Sequence, residues 1–176
     1  MSEGSVTEHH PVRAWLSLGS NISPLKHIPQ AVDELREMFD EISVSPVYES
    51  EAVGFTGDNF FNLVVGIDTD LAPVALTAVL KKIEALHGRQ RSGDGFDSRT
   101  LDIDLLTYGD QVIDSGSIQL PRDEVLRYAF VLLPLSEVAG DELHPVEGRT
   151  YRQLWQAFNG PEQLLWRVDG GLLGQI

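Results

Sequence analysis

The chain has 176 residues, 42% hydrophobic and 23% charged, the composition of an ordinary globular domain large enough for one real core. It has no cysteine, which excludes disulfides and thiolate metal sites, and its formal net charge of −14 argues against a general nucleic-acid binder, which needs a basic footprint to displace counterions from phosphates. No apolar run approaches the roughly 18 residues of a membrane span and the N-terminus has neither a basic nor an apolar region, so a cytoplasmic protein with no membrane or nucleic-acid partner is expected.

In chain order, residues 1–11 read as a flexible extension, residues 12–160 as one domain and residues 161–176 as a C-terminal tail. Arg13 to Ser20 reads as a strand closed by Gly19-Ser20-Asn21. A helix follows, with Ser23 as its cap, Pro24 at its first position and Ile28, Val32, Leu35 and Met38/Phe39 at helical spacing. Pro29 interrupts that pattern, so the regular part is expected to begin only around it. Glu41 to Glu51 alternates as a strand in which Pro46 marks an edge or a bulge, and a loop over 52–58 leads to a second, antiparallel strand from Asn59 to Asp68. Asn62 is an amide in that otherwise apolar strand; it either anchors structure or reads a ligand.

Pro73 starts a helix whose buried stripe runs through Leu76, Leu80, Ile83 and Leu86 or His87, with Gly88 as its C-cap and Glu84 facing Lys81 on the surface. Residues 89–99 are polar, glycine-containing and without period, as binding loops are. Phe96 stands alone in this loop, as a packing anchor or as a ring that stacks on a base. Arg99 to Gly109 alternates as a strand, so Leu101, Ile103 and Leu105 share one face while Asp102 and Asp104 share the other, about 7 Å apart. Two carboxylates so close repel unless a proton or cation lies between them, which makes Asp-x-Asp a candidate Mg²⁺ site; isolated, such a pair more often just faces water. Five of the 13 basic residues, Lys81, Lys82, Arg89, Arg91 and Arg99, lie directly before or at this strand. A helix dipole accounts for the two lysines but not for Arg99, and the cluster suits a compact polyanion such as a nucleoside triphosphate with its metal. Gln111–Asp114 and Ile118–Pro121 then read as short strands, Asp123–Tyr128 as a helical turn, Ala129–Ala139 as a buried apolar segment, and Thr150 as the start of a last helix through Tyr151, Leu154 and Phe158.

The order strand, helix, strand, strand, helix, strand over residues 13–109 is the βαββαβ pattern of an α+β, ferredoxin-like fold, an antiparallel sheet with helices on one face. Together, Leu18-Gly19-Ser20-Asn21, Tyr48 with Ser50 and Gly54, Phe61-Asn62, Ile83-Glu84 with Gly88-Arg89-Gln90-Arg91, Arg99-Thr100-Leu101-Asp102-Ile103-Asp104 and Ala129-Phe130-Val131-Leu132-Leu133-Pro134-Leu135 resemble the 6-hydroxymethyl-7,8-dihydropterin pyrophosphokinases of folate biosynthesis over residues 13–158. The resemblance implies transfer of the β,γ-pyrophosphoryl group of ATP to the pterin hydroxymethyl oxygen, giving AMP and the pterin diphosphate.

By the same resemblance, Asp102 and Asp104 hold two Mg²⁺ ions, and Arg89, Arg91 and Arg99 clamp phosphate oxygens. Lys81, Glu84, Phe96, Leu105 and Arg122 lie at the ATP. Asn62 reads the pterin edge, Phe60 and Phe130 sandwich its ring, Ser50 and Val53 line the pocket, and the protein is a monomer. The chain departs from the family pattern in several places. Arg122 replaces a histidine and Tyr128 an arginine, Phe96-Asp97-Ser98-Arg99 stands for Trp-Gly-Pro-Arg, Gly95 takes an often basic position and Glu51 a proline's. These changes thin the basic side of the ATP site, so the alternative is a non-catalytic or weakly active nucleotide- or pterin-binding paralogue of the same fold.

Overall fold

Ala14, Leu16 and Leu18 alternate with Trp15 along the first strand, β1 (Val12–Ser20), so both faces of this strand are apolar and it runs buried through the middle of a sheet. A computed structural model describes residues 10–53, 56–88, 99–160 and 163–168. In it β1 is followed by α1 (Pro24–Phe39), β2 (Ser43–Val44), β3 (Tyr48–Ser50), β4 (Phe60–Thr69), α2 (Pro73–Leu86), β5 (Asp102–Tyr108), β6 (Ile113–Ser115), β7 (Ile118–Leu120), α3 (Glu124–Arg127), α4 (Ala129–Val138), α5 (Tyr151–Gln156) and β8 (Leu165–Arg167). The main sheet runs β5-β1-β4-β3-β8, with β2 also on β4, and every neighbouring pair is antiparallel. Strands β6 and β7 form a separate hairpin.

Several local expectations are corrected. Helix α1 starts at Pro24 and continues through Pro29; the missing N–H falls beside exposed Leu25, while Ile28, Ala31, Val32 and Leu35 are buried. Ser23 has φ of 47° and makes no side-chain cap. The strand expected over 41–51 is broken at Ser45-Pro46-Val47 into β2 and β3, because proline cannot donate to the ladder; the Ser45 hydroxyl instead takes the Val64 N–H at 2.8 Å. His87, not Leu86, closes the buried stripe of α2, since Leu86 is 79% exposed.

The sheet is covered on both faces rather than on one. On the first face α1 and α2 pack on Ala14, Leu16, Leu18, Leu63, Val65, Ile67, Ile103 and Leu105. On the second, α3, α4 and α5 bury Trp15, Val64 and Leu106 beneath Val125, Leu132, Leu135, Tyr151 and Leu154. A bulge in β5 separates the Leu16–Leu105 and Trp15–Thr107 pairs, so Leu106 and Thr107 both turn toward the second layer before Tyr108 returns to the first. The tail also enters the sheet, because β8 pairs with β3. Among the described residues no helix is long and apolar enough to cross a membrane.

Two features of the second layer have measurable consequences. A Cβ added to Gly66 would lie 2.4 to 2.9 Å from three ring atoms of Trp15, its cross-strand partner. Gly66→Ala therefore overpacks the sheet centre and should lower stability by about 1–3 kcal/mol in denaturant unfolding; an unchanged midpoint would show that Trp15 moves freely. His144 is buried, and its Nδ1 accepts from the backbone N–H of Val146 at 3.2 Å and of Glu147 at 3.1 Å. Burial holds its pKa below the usual 6.5. A base depressed in this way contributes fully above its unfolded pKa and loses that contribution as pH falls below it. Wild type should accordingly lose stability relative to His144→Asn, whose oxygen accepts but does not titrate, between about pH 7 and 5; parallel pH profiles for the two proteins would refute this.

Candidate active site

The register of three strands assembles a row that the sequence does not show. Asp102 lies opposite Gly19, Gly19 opposite Asn62, and Asn62 opposite Tyr48, so acid, glycine, amide and phenol follow one another across β5, β1, β4 and β3. Strand alternation puts Asp104, beside Ser17, on the same face as Asp102, and this is the face that carries Trp15, Val64 and Leu106 farther along. Helix α4 packs against β4 and β3 on it. An added Cβ on Gly19 would lie 3.5 Å from Asn62 Oδ1 and 3.8 Å from Phe60 Cδ1, so the glycine leaves a cradle between the carboxylates and the amide.

Asp104 is pushed up to about 6, first by burial and then by the neighbouring charge of Asp102, with Glu124 adding repulsion and Arg122 opposing it. Arg99 Nη1 donates to Asp102 Oδ2 at 2.6 Å. Arg122 donates from Nε and Nη2 to the Glu124 carboxylate at 3.1 and 2.9 Å. Two crowded oxygen donors suit a hard divalent cation. Among the described residues no group of three or more acidic, histidine or cysteine side chains is placed to hold a metal, so further ligands would be substrate oxygens and water, the pattern Mg²⁺ takes.

At the other end of the row, Asn62 is buried. Its Nδ2 donates to Ser50 Oγ at 2.8 Å and reaches the carbonyls of Tyr48 and Phe60 at 3.4 Å each. This network orients the amide, and Oδ1, which points over Gly19, accepts no hydrogen bond among the described residues. The amide thus anchors structure through its nitrogen and keeps an acceptor toward the cradle. Phe60 opens β4 and is partly buried, as is Val53. Phe130, at the start of α4, stacks on Tyr128 with centroids 4.9 Å apart and planes at 14°.

Other candidates sit differently. Glu84, expected on the surface beside Lys81, is buried, and its Oε2 accepts the N–H of Ile103 at 3.1 Å, covering the outer edge of β5 between the two aspartates. Lys81 is exposed on α2. Leu105, expected at the ATP, is only 6% exposed and belongs to the core under α1 and α2, because strand alternation turns it away from the carboxylates. Arg89, Arg91 and Phe96 lie outside the described residues.

Asn21 is the residue that sequence reasoning underrated. Its Oδ1 accepts the Arg99 N–H at 2.6 Å, its own N–H and that of Ile22 donate to the Arg99 carbonyl at 2.9 and 3.1 Å, and its Nδ2 donates to the Asp58 carbonyl at 3.1 Å. It therefore holds the backbone of the arginine that reaches Asp102. The signals in the sequence were the Gly19-Ser20-Asn21 turn, which reads equally well as a simple strand end, and its place among the family motifs, which gave Asn21 no role of its own.

Residues 15–140 match the family model described as 7,8-dihydro-6-hydroxymethylpterin-pyrophosphokinase. The chain belongs to this family. It is 36% identical over 158 residues to the 2-amino-4-hydroxy-6-hydroxymethyldihydropteridine pyrophosphokinase of Pseudomonas aeruginosa, spanning 86% of this chain and 96% of that one. With the pyrophosphokinase of the same name from Aquifex aeolicus the identity is 34% over 153 residues, covering 86% and 92% of the two chains. Among solved structures, the Plasmodium falciparum HPPK-DHPS with pteroate superposes with a TM-score of 0.66 at 16% identity, over 87% of this chain and 43% of that one, a likeness of fold.

The acidic pair makes a prediction about stability. The charged form of Asp104 is penalised in the fold, so Asp104→Asn should stabilise the metal-free protein by about 1 kcal/mol at pH 8, and the gain should shrink as pH falls through about 6. Thermal unfolding of both proteins at several pH values without divalent cation checks this; a destabilised variant would remove the repulsion from the account.

Proposed function

We propose that this chain transfers pyrophosphate from ATP to 6-hydroxymethyl-7,8-dihydropterin, using Asp102, Asp104 and Arg99 at one end of the cradle and Asn62, Ser50, Phe60 and Phe130 at the other. Membership of the pyrophosphokinase family supplies the reaction and its place in folate biosynthesis. The observation that carries the residue roles is the row Asp102, Gly19, Asn62, which sets two carboxylates beside an amide oxygen across a glycine.

In this reading Asn62 Oδ1 accepts an N–H of the pterin edge, and the Phe130 and Phe60 rings flank its plane. The hydroxymethyl group then points along the row toward Asp102 and Asp104. Two Mg²⁺ ions held by these carboxylates would neutralise the triphosphate and help activate the attacking hydroxyl. The pterin oxygen attacks the β-phosphorus of ATP as its hydroxyl proton is lost to solvent, the bond from that phosphorus to the AMP oxygen breaks, and AMP leaves with the α-phosphate. Arg99, which donates to Asp102, would exchange that carboxylate for a phosphate oxygen when ATP binds. Arg122 reaches the nucleotide only by giving up Glu124. Arg89, Arg91 and Phe96 complete the ATP side by family resemblance, as Lys81 and Glu84 do at its margins, and Val53 lines the pterin pocket with Ser50.

The same reading takes the βαββαβ core as ferredoxin-like, supported by the order β5-β1-β4-β3 with all neighbours antiparallel. It also takes the protein as a cytoplasmic monomer.

Incubating the pure protein with ATP, Mg²⁺ and hydroxymethyl-dihydropterin should release AMP. Asp102→Ala or Asp104→Ala should each lower kcat by on the order of 10²-fold or more. Tight binding of both substrates without AMP would identify a binding paralogue instead, and full activity in either alanine variant would sink the metal assignment.

A further inference from the structure

The two walls of the pterin half of the cradle come from distant parts of the chain. One is β3, whose Ser50 hydroxyl accepts from Asn62, and the other is the start of α4, which carries Phe130. Neither wall is well secured by its own sequence. Strand β3 has three residues, and the N-cap of α4, Tyr128, makes no side-chain cap. Both walls are instead tied to residues 163–168, a segment beyond the family match, which ends at residue 140.

Three kinds of contact make the tie. Strand β8 pairs with β3 over its whole length, Tyr48 with Arg167 and Ser50 with Leu165, and the Val168 N–H extends the ladder to the Val47 carbonyl at 2.9 Å. Gln163 Oε1 accepts the N–H of Ala129 at 3.0 Å, satisfying the first amide of α4 immediately before Phe130. Glu137, on α4, accepts from the Tyr48 hydroxyl of β3 and faces Arg167 Nη1 of β8 at 3.8 Å, so one carboxylate joins all three elements.

We propose that residues 163–168 are a clamp that sets the spacing between β3 and the N-terminus of α4, with Gln163 as a positioning residue for pterin binding. The inference rests on the pyrophosphokinase reading, since it takes Ser50 and Phe130 to bound the pterin. Aromatic stacking requires Phe130 to be held about one ring thickness from the bound plane, opposite Phe60, whose strand β4 is paired with β3 at Ser50, so loosening either wall weakens binding of the ring. The carboxylates and Arg99 lie at the other end of the row, with β1 and β4 between β5 and the β3–β8 pair.

Gln163→Ala in the full-length protein removes one acceptor and frees the first turn of α4. It should raise KM for the pterin about three- to tenfold while KM for ATP stays within about twofold. Gln163→Glu, which offers an acceptor and places negative charge at a helix N-terminus, should restore the wild-type pterin KM. An unchanged pterin KM in Gln163→Ala, an equal rise in both KM values, or failure of Gln163→Glu to rescue would overturn the clamp. A wild-type protein that releases no AMP overturns the pyrophosphokinase reading instead. Amide hydrogen exchange then reads the clamp independently of activity. Exchange at Ala129 and at Tyr48–Ser50 should be about fivefold or more faster in Gln163→Ala, with β1 unchanged, and unchanged exchange at those amides would refute the clamp.

Discussion

Two carboxylates on adjacent same-face positions of β5, one of them pushed up to about 6 by burial and by the other, are the constraint around which the site is built. A strand that exposes such a pair to a half-buried face is unfavourable in isolation. The surroundings offset part of that cost. Arg99 donates to Asp102, Arg122 opposes the charge on Asp104, and Glu84 secures the outer edge of β5 through the Ile103 N–H. Together these contacts keep the two carboxylates side by side on one face of β5. A cation with hard oxygen preferences would remove the remaining repulsion.

From that pair the rest of the geometry follows by pairing. Strand β1 lies between β5 and β4, so whatever occupies its second face separates the acids from the amide. At the decisive position it is Gly19, and the absence of a Cβ there opens the floor between Asp102 and Asn62. Two residues later Asn21 ties the backbone of Arg99 to the same turn. The Leu-Gly-Ser-Asn stretch therefore combines three local tasks: a core leucine, a gap and a bracket for the arginine.

The departures from the family pattern have structural partners. Tyr128 stacks on Phe130 and so extends the aromatic wall where the family has a cation. Arg122 is held by Glu124, two residues on, beside Asp104. Among the described residues Arg122 and Arg99 are thus both paired with carboxylates, Glu124 and Asp102, and Tyr128 adds a second ring beside Phe130.

The sequence by itself determined what depends on neighbours along the chain. Alternation over 101–105 sorted core aliphatics from carboxylates, Pro73 set the start of α2, Pro46 marked an edge or a bulge, and the ordered motifs identified the family. The pairing between distant segments was decided only by the tertiary structure, because hydrogen bonds between strands carry no local signature. That is why the cradle at Gly19 and the covering of both sheet faces could not be read from periodicity, and why Glu84 looked like a surface residue until α2 met β5. The tail shows the limit most plainly. Leu165-Trp166-Arg167 is too short to read as a strand alone, and Gln163 acquires a role only because Ala129, 34 residues earlier in the chain, presents an uncapped amide to it.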